Sequence, residues 1–275
     1  MGVNTARRLK VNGPLVSIIT VVLNAGNYLE ETIKSVISQD YKNMEYIIID
    51  GGSEDNTVEV INKYKEHISY CLSQKDNGIY EAMNKGLKAA RGQYLNFMNA
   101  GDCFYGREAV SGFAEEMNKG YLLLCGDTLI SYPDGFKRVN KFFLNLYIMP
   151  SYHQSMFFHK ELFALLGGYN EKYKWAADID LWQRAYSKYR GKIIGKNRLI
   201  SVNNLQGFSN RNFVGAYKEE LRVSFFNLRP IDFMAAFCIK TAVFLYVIVL
   251  NLFKKIGLYK YLIRLRYLFS KARYK

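Results

Sequence analysis

The sequence predicts an α/β protein, a mainly parallel sheet covered by helices, with a C-terminal helical segment of different character. Three observations carry this. Short β-branched runs alternate with stretches of helical periodicity as far as Met98. The runs lack polar alternation, as strands buried on both faces do. Near Arg229-Pro230 the composition turns almost wholly apolar and then basic.

The elements follow in order. Residues 15–22 form a continuous β-branched stretch entered by Gly13-Pro14 and read as a strand. After an Asn/Gly loop, Tyr28, Leu29, Ile33, Val36 and Ile37 recur at helical spacing. Strands are then expected at 44–50, 68–72 and 93–98, and helices at 56–67 and 79–90. From 120 to 168 the periodicity loosens, aromatic residues gather and Pro133-Asp134-Gly135 signals a turn, so mixed strands and a loop are expected there. A segment rich in Asp and Trp, 175–182, leads into a helix at 181–189. The implied organisation is an N-terminal extension (1–13), a main domain (14–220) with halves meeting near 102/103, and a tail (221–275).

Composition narrows the function classes. A chain of 275 residues with 49% hydrophobic residues buries a substantial core, which excludes a disordered or fibrous protein. The net charge is +14, but residues 221–275 hold eleven Lys/Arg against the single acid Asp232. A basic excess confined to one end, beside an apolar stretch, points to an anionic membrane surface and away from nucleic acid. Cys71, Cys103, Cys125 and Cys238 are widely spaced and form no CxxC, so they read as reduced core thiols of a cytosolic compartment. Arg7, Arg8 and Lys10 before an apolar run imitate a signal peptide, but the run is short and continues into a folded pattern.

Active sites of parallel sheets lie outside the carboxyl ends of the strands. Those ends read Leu23-Asn24-Ala25-Gly26, Asp50-Gly51-Gly52-Ser53, Asp76-Asn77-Gly78 and Asn99-Ala100-Gly101-Asp102. A carboxylate beside glycine can accept hydrogen bonds from a base or ribose while the backbone closely approaches the ligand, which suits Asp50. The same residues also make helix caps and tight turns. Asp102 is an oxygen ligand for a hard divalent ion or, alternatively, a cap. Asp178 and Asp180 do not share a helix face; Asp178 is expected to point inward as a general base near Trp175 and Trp182, with Asp180 as the cap. His153-Gln154 can donate hydrogen bonds to a sugar or phosphate, or simply pack in a loop. No GxGxxG follows the first strand, and there is no P-loop, His/Cys metal cluster or GxSxG, which weighs against dehydrogenase, NTPase, zinc-enzyme and hydrolase readings.

Taken together, Val16-Ser17-Ile18-Ile19-Thr20, Asn24, Gln39, the stretch 45–53, Asp76-Asn77-Gly78-Ile79-Tyr80-Glu81-Ala82-Met83-Asn84-Lys85-Gly86, Gly92, residues 97–102 and Ala177-Asp178-Ile179-Asp180-Leu181-Trp182 resemble glycosyltransferase family 2 over about residues 14–210. The resemblance implies an A-type glycosyltransferase fold, with a Rossmann-like sheet, a nucleoside diphosphate sugar donor, a Mn2+ or Mg2+ ion, and inversion at the anomeric carbon. By similarity Asp50 and Gly51 would hold the nucleobase, with Leu23 and Asn24 lining its pocket. Asp76, Asn77, Asn84 and Lys85 would contact the donor, Asp102 the metal, and Asp178 the attacking hydroxyl; His153, Gln154 and Trp182 would lie on the acceptor side. The family's DxD is reduced here to Asn99-Ala100-Gly101-Asp102, and its Glu-Asp pair to Ala177-Asp178. A UDP-hexose or UDP-N-acetylhexosamine donor is the family's usual habit.

Residues 231–253 are apolar apart from Asp232, Lys240, Thr241 and Asn251, and eight Lys/Arg follow. Length permits a spanning helix, but Lys240 near its middle is costly in hydrocarbon, which favours an interfacial helix or a reentrant segment, with an ordinary core helix as the plain alternative. Basic residues then mark the cytoplasmic face. The enzyme expected is an inverting transferase acting on a saccharide acceptor, such as one carried on a polyprenyl diphosphate, in cell-surface polysaccharide synthesis. The alternative is a membrane-associated module that binds nucleotide sugars without turnover.

Overall fold

The computed structural model describes residues 13–131, 137–204 and 213–255. The N-terminal extension up to residue 12, the Pro133-Asp134-Gly135 turn and the basic residues from Lys260 onward lie outside the described residues. In chain order the elements are β1 (Val16–Val22), α1 (Gly26–Ile37), β2 (Met44–Asp50), α2 (Thr57–Lys63), β3 (Tyr70–Ser73), α3 (Ile79–Ala89), β4 (Tyr94–Phe97), β5 (Cys103–Phe104) and α4 (Ala114–Asn118). There follow β6 (Leu123–Ser131), β7 (Lys137–Asn140), β8 (Met156–His159), α5 (Lys160–Leu166), α6 (Ala177–Tyr189), β9 (Ile193–Asn204), α7 (Phe213–Asn227) and α8 (Pro230–Lys255).

One sheet organises them, in the order β3-β2-β1-β4-β8-β6-β9-β5, with β7 paired to β6. The pairing is parallel through β3-β2-β1-β4, as the uninterrupted apolar runs predict. Beyond β4 it becomes mixed: β8 is antiparallel to both β4 and β6, while β9 is parallel to β6 and antiparallel to β5. The loosened periodicity after residue 120 is the trace of that change.

Every residue of β1 is buried because both faces of the sheet are covered. Ile19 and Val21 pack with α3 and α6 residues such as Met83 and Leu181, whereas Val16, Ile18 and Val22 pack with Leu29, Ile33 and Val36 of α1. Each isoleucine buried this way contributes about 1.5–3 kcal/mol. Glycine at 86 lets α3 lie directly on the sheet, since a methyl group there would run into Ile19. At the opposite edge from the site, the buried carboxylate of Glu45 accepts from Ser17 Oγ (2.6 Å), the Arg91 N–H (2.6 Å) and Nε (2.9 Å), and the Gly92 N–H (3.1 Å), tying β1 and β2 to the turn before β4.

Helices α7 and α8 form a hairpin. Tyr217 stacks on Phe244 at 4.1 Å and hydrogen-bonds Thr241 at 2.8 Å, and Lys240 pairs with Glu220 at 2.9 Å. The charge at the middle of the apolar helix therefore faces α7, with only 2% of its side chain exposed. Outward, α8 presents Ile231, Met234, Phe237, Val243, Leu245, Tyr246 and Val249, all exposed. Among the described residues it is the one helix long and apolar enough to cross a membrane, with a mean hydropathy of 1.9 over Pro230–Val249.

Three expectations need correction. The division at 220/221 falls inside α7, because helical packing continues across the change in composition. Helix α6 begins at Ala177, so Asp180 lies in its first turn and not at its cap; it is buried and held by Arg184 (2.7 Å) and Asn227 (2.9 Å). Of the four cysteines, all free, only Cys125 is a core thiol: Cys103 is half-buried, and Cys71 and Cys238 are exposed on β3 and on the outer side of α8.

Candidate active site

The carboxyl ends of β1, β2 and β3 form one wall of the candidate site. Asp50 ends β2 and is completely buried, accepting from Ser53 Oγ (2.5 Å), the Ser53 N–H (3.2 Å) and Ser73 Oγ (2.6 Å). Asn24 adopts a left-handed conformation (φ 49°) and stitches this wall together: its N–H donates to Ser53 Oγ at 2.8 Å and its Oδ1 accepts the Glu54 N–H at 2.9 Å. Beside it Leu23 is 55% exposed, an apolar face open to a ligand.

Asp76 leans over the β2 end so closely that a methyl group on Gly51 would lie 2.6 Å from its Oδ2. Burial raises the Asp76 carboxyl above the ordinary aspartate range, opposed by its hydrogen bond from the Gly78 N–H. Asn77 and Lys85 both converge on Glu81, whose carboxyl is drawn down to about 2 by Lys85 and then Asn77. Asn84 is employed differently: it exchanges hydrogen bonds with the Tyr169 backbone and donates to Glu171, tethering α3 to the loop after α5.

The second wall is built from distant segments. Because β8 pairs with β4, the 3-10 turn His153–Ser155 that enters β8 lies against the Asn99–Asp102 loop that leaves β4. Asn96, a buried amide inside β4, grips this turn by donating to the carbonyls of Gln154 and Met156, both at 2.9 Å. Asp102 then accepts from Gln154 Nε2 at 2.5 Å, and Asn99 Nδ2 meets His153 Nε2 at 3.1 Å. The other ring nitrogen of His153, Nδ1, faces Asp178 Oδ2 at 3.7 Å.

Asp178 itself is partly buried, its side chain 22% exposed. Its Oδ1 accepts from the Ile179 N–H (2.8 Å) and from Tyr80 Oη (3.3 Å). The Tyr80 hydroxyl is held far above its usual range by burial and then by the charge of Asp178, so it remains a donor. Trp182 lies behind, 2% exposed, its indole N–H spent on the Asn145 carbonyl at 2.9 Å. It lines a small cavity together with Asp178 and packs beneath it.

The model of the family described as "Glycosyl transferase family 2" matches residues 17–169, more than half of the chain. The chain belongs to glycosyl transferase family 2. It is 34% identical over 185 residues to an uncharacterized glycosyltransferase of Mycobacterium tuberculosis, covering 63% of this chain and 70% of that protein. It is 31% identical over 182 residues to a PGL/p-HBAD biosynthesis glycosyltransferase of Mycobacterium bovis, with the same coverage of 63% and 70%. Among solved structures, S. aureus TarS 1–349 superposes with a TM-score of 0.63 at 18% identity, over 82% of this chain and 71% of that one. The mannosyltransferase PcManGT from Pyrobaculum calidifontis, in complex with GDP-Man and Mn2+, has a TM-score of 0.59 at 15% identity, over 77% and 63%. The fold is thus the A-type glycosyltransferase fold that the resemblance implies, and the chain is a glycosyltransferase.

The residues around Asp102 fit a divalent cation. No cluster of three His, Cys, Asp or Glu occurs among the described residues, so a metal site made of protein carboxylates alone is not present there. But Asn99 Oδ1 and Gln154 Oε1, on the residues that contact His153 and Asp102, are buried acceptors with no hydrogen-bond partner among the described residues. Unsatisfied oxygens beside one carboxylate suit a hard ion that completes its shell with substrate phosphates and water.

The residues expected to act together therefore divide. Leu23, Asn24, Asp50, Gly51 and Asp76 share the first wall, and Asp102, His153, Gln154 and Asp178 the second, while Asn84 and Trp182 serve packing. Sequence reasoning did not single out Asn96, Asn99 or Tyr80 as functional. Asn96 did carry a signal, an amide inside the otherwise apolar strand Tyr94–Phe97.

Proposed function

We propose that the protein transfers a sugar from a UDP-sugar, a hexose or N-acetylhexosamine, to a hydroxyl of a saccharide acceptor, with inversion. The observation that carries this reading is the pair Asp102 and Asp178, brought to opposite sides of the single turn His153-Gln154 from segments far apart in the chain. Leu23 packs against the nucleobase, and the Ser53 turn beside it, fixed from beneath by the buried Asp50 carboxylate, completes that side of the pocket. Solved structures of TarS in complex with UDP-GlcNAc and with UDP, at 17% identity, support the choice of nucleotide.

Asp178 accepts the proton of the attacking hydroxyl as the new bond to the anomeric carbon forms and the bond to the diphosphate breaks. A carboxylate partly desolvated by Trp182, Tyr169 and Leu181, with one oxygen fixed by Tyr80 and the Ile179 N–H, is oriented for that role. Attack from the side of Asp178, opposite the departing diphosphate, gives inversion. Asp102, with the Asn99 and Gln154 amide oxygens, would hold Mn2+ or Mg2+, which when bound neutralises charge developing on the leaving group.

The exposed face of α8 would bind the membrane, with the protein on its cytoplasmic side. Because Lys240 is already paired with Glu220 on the protein side, the lipid-facing surface is free of that charge. The eight Lys/Arg that follow the apolar stretch would add about 1 kcal/mol each near an anionic bilayer. Such placement suits a lipid-linked saccharide acceptor, polyprenyl-diphosphate-linked in type, and a role in cell-surface polysaccharide synthesis.

The test is nucleotide release from UDP, GDP, dTDP and CMP sugars with Mn2+, comparing wild type with Asp178→Asn and Asp102→Ala. Turnover of a UDP-sugar that needs metal and fails in both variants supports the reading. Binding without turnover under every acceptor condition would favour the noncatalytic module instead.

A further inference from the structure

Helix α6, which carries Asp178, starts without a cap of its own. Its N-cap residue is Ala176, which has no side-chain hydrogen bond to offer. Helix N-termini leave N–H groups that need partners. Here the carboxylate of Glu219, reaching across from α7, accepts from three successive backbone N–H groups: Lys174 (2.9 Å), Trp175 (2.6 Å) and Ala176 (3.0 Å). Successive amides converging on one anion form a nest, and these charge-assisted bonds lie at the end of the helix where the dipole favours negative charge. The base is two residues further on.

The grip is reinforced along α7. Val223 is buried against Ala176 and Ile179, Gln183 donates to Ser224 Oγ at 3.0 Å, and Asn227 donates to Asp180 at 2.9 Å. The neighbouring acid, Glu220, turns the other way and pairs with Lys240 of α8. Two consecutive glutamates thus join one helix to the base and to the apolar helix.

We propose that Glu219 is a positioning residue for Asp178, which makes α7 part of the catalytic scaffold and not merely the root of a membrane tail. The proposal rests on the reading of Asp178 as the base. The Glu219 carboxylate is engaged with the 174–176 backbone and fixes the loop that sets where the Asp178 carboxylate stands. Misplacement of a reacting group by about 1 Å costs on the order of 100-fold in rate, which sets the scale.

The experiment measures kcat and donor KM of the full chain, with thermal melting of each protein, for wild type, Glu219→Ala, Glu219→Gln and the paired substitution Glu220→Gln with Lys240→Met. Glu219→Ala is expected to lower kcat by about 10- to 100-fold with donor KM and a cooperative melt retained. Glu219→Gln recovers part of kcat, because its carbonyl oxygen still accepts from Trp175 and Ala176. The paired substitution, which leaves the nest intact, keeps wild-type kcat. Unchanged kcat in Glu219→Ala, or an equal loss in the paired substitution, overturns the proposal. Should Glu219→Ala fail to fold, Glu219→Asp replaces it: lowered kcat at unchanged donor KM supports the proposal, and wild-type kcat overturns it. Full activity of Asp178→Asn would overturn the base assignment itself, a result read independently of the Glu219 series.

Discussion

The two walls of the candidate site are made in different ways. The first wall comes from β1, β2 and β3, consecutive strands that also lie side by side, and the hydrogen bonds named above that cross between its strand ends span only 23 to 30 positions. The catalytic wall joins Asp102 to Gln154 across 52 positions and Tyr80 to Asp178 across 98. On the proposed reading the first wall would hold the donor with local turns and backbone amides, and the second would place the reacting groups by long-range pairing. Binding and chemistry should therefore separate under mutation, with donor-wall changes read in KM and catalytic-wall changes in kcat.

The largest expected effect is at Asp178. Replacement by Asn keeps the shape and the hydrogen bonds from Tyr80 and the Ile179 N–H but removes the base, and kcat should fall by about 100- to 10,000-fold with donor KM little changed. A rise in KM instead would break the contrast between the walls. Next is Asp102→Ala, expected to lower kcat by about 100- to 1,000-fold and to shift the Mn2+ titration of activity to higher concentration. A titration left in place would move metal binding away from this loop.

The same contrast explains how much could be read beforehand. Strands at 44–50 and helices at 79–90 follow from periodicity alone, because burial on both sheet faces imposes apolar runs and an α3 that packs on the sheet imposes a helical stripe. The placement of Asp50 and Asp76 beside the strand ends followed with them, since an acid beside glycine at a strand end is a local pattern. Asp50 is nevertheless buried beneath two serines rather than displayed, which no local pattern encodes. Asn84 and Lys85 are adjacent in sequence, yet one tethers a loop and the other pairs with Glu81, because the helix points them in different directions. On the catalytic wall, residue types were recognisable but partners were not: Asn96 holding the Gln154 turn, Tyr80 holding Asp178 and Glu219 holding α6 all depend on sheet order and helix packing. Lys240 shows the same limit, since its charge looks incompatible with an apolar helix until Glu220 is placed opposite.

A smaller effect tests the donor wall. In Gly51→Ala the new methyl would meet Asp76 Oδ2 at 2.6 Å, forcing the 76–78 loop outward. Overpacking of this kind costs about 1–3 kcal/mol. Donor KM should rise by about 10-fold or more while kcat at saturating donor stays near wild type. A fall in kcat alone would mean that the two walls are mechanically coupled at this point.

The smallest effect concerns stability, and its sign follows from Asp76. Burial raises its folded-state carboxyl pKa above the unfolded value, so the folded protein binds a proton more readily and the ionised group opposes folding at neutral pH. The opposition is complete above the raised pKa and disappears as pH falls through it to below the ordinary aspartate range. Asp76→Asn should therefore be slightly more stable than wild type at pH 7, by less than about 1 kcal/mol because the group is only partly buried, and the two proteins should converge in acid. The amide still accepts from the Gly78 N–H, so the turn is kept. Donor KM should rise, since the carboxylate that costs stability faces the donor. Thermal melts across pH with donor kinetics at pH 7 check both parts: higher stability with weaker donor binding marks Asp76 as held against folding for the sake of the ligand, whereas higher stability with unchanged KM would remove it from the donor wall.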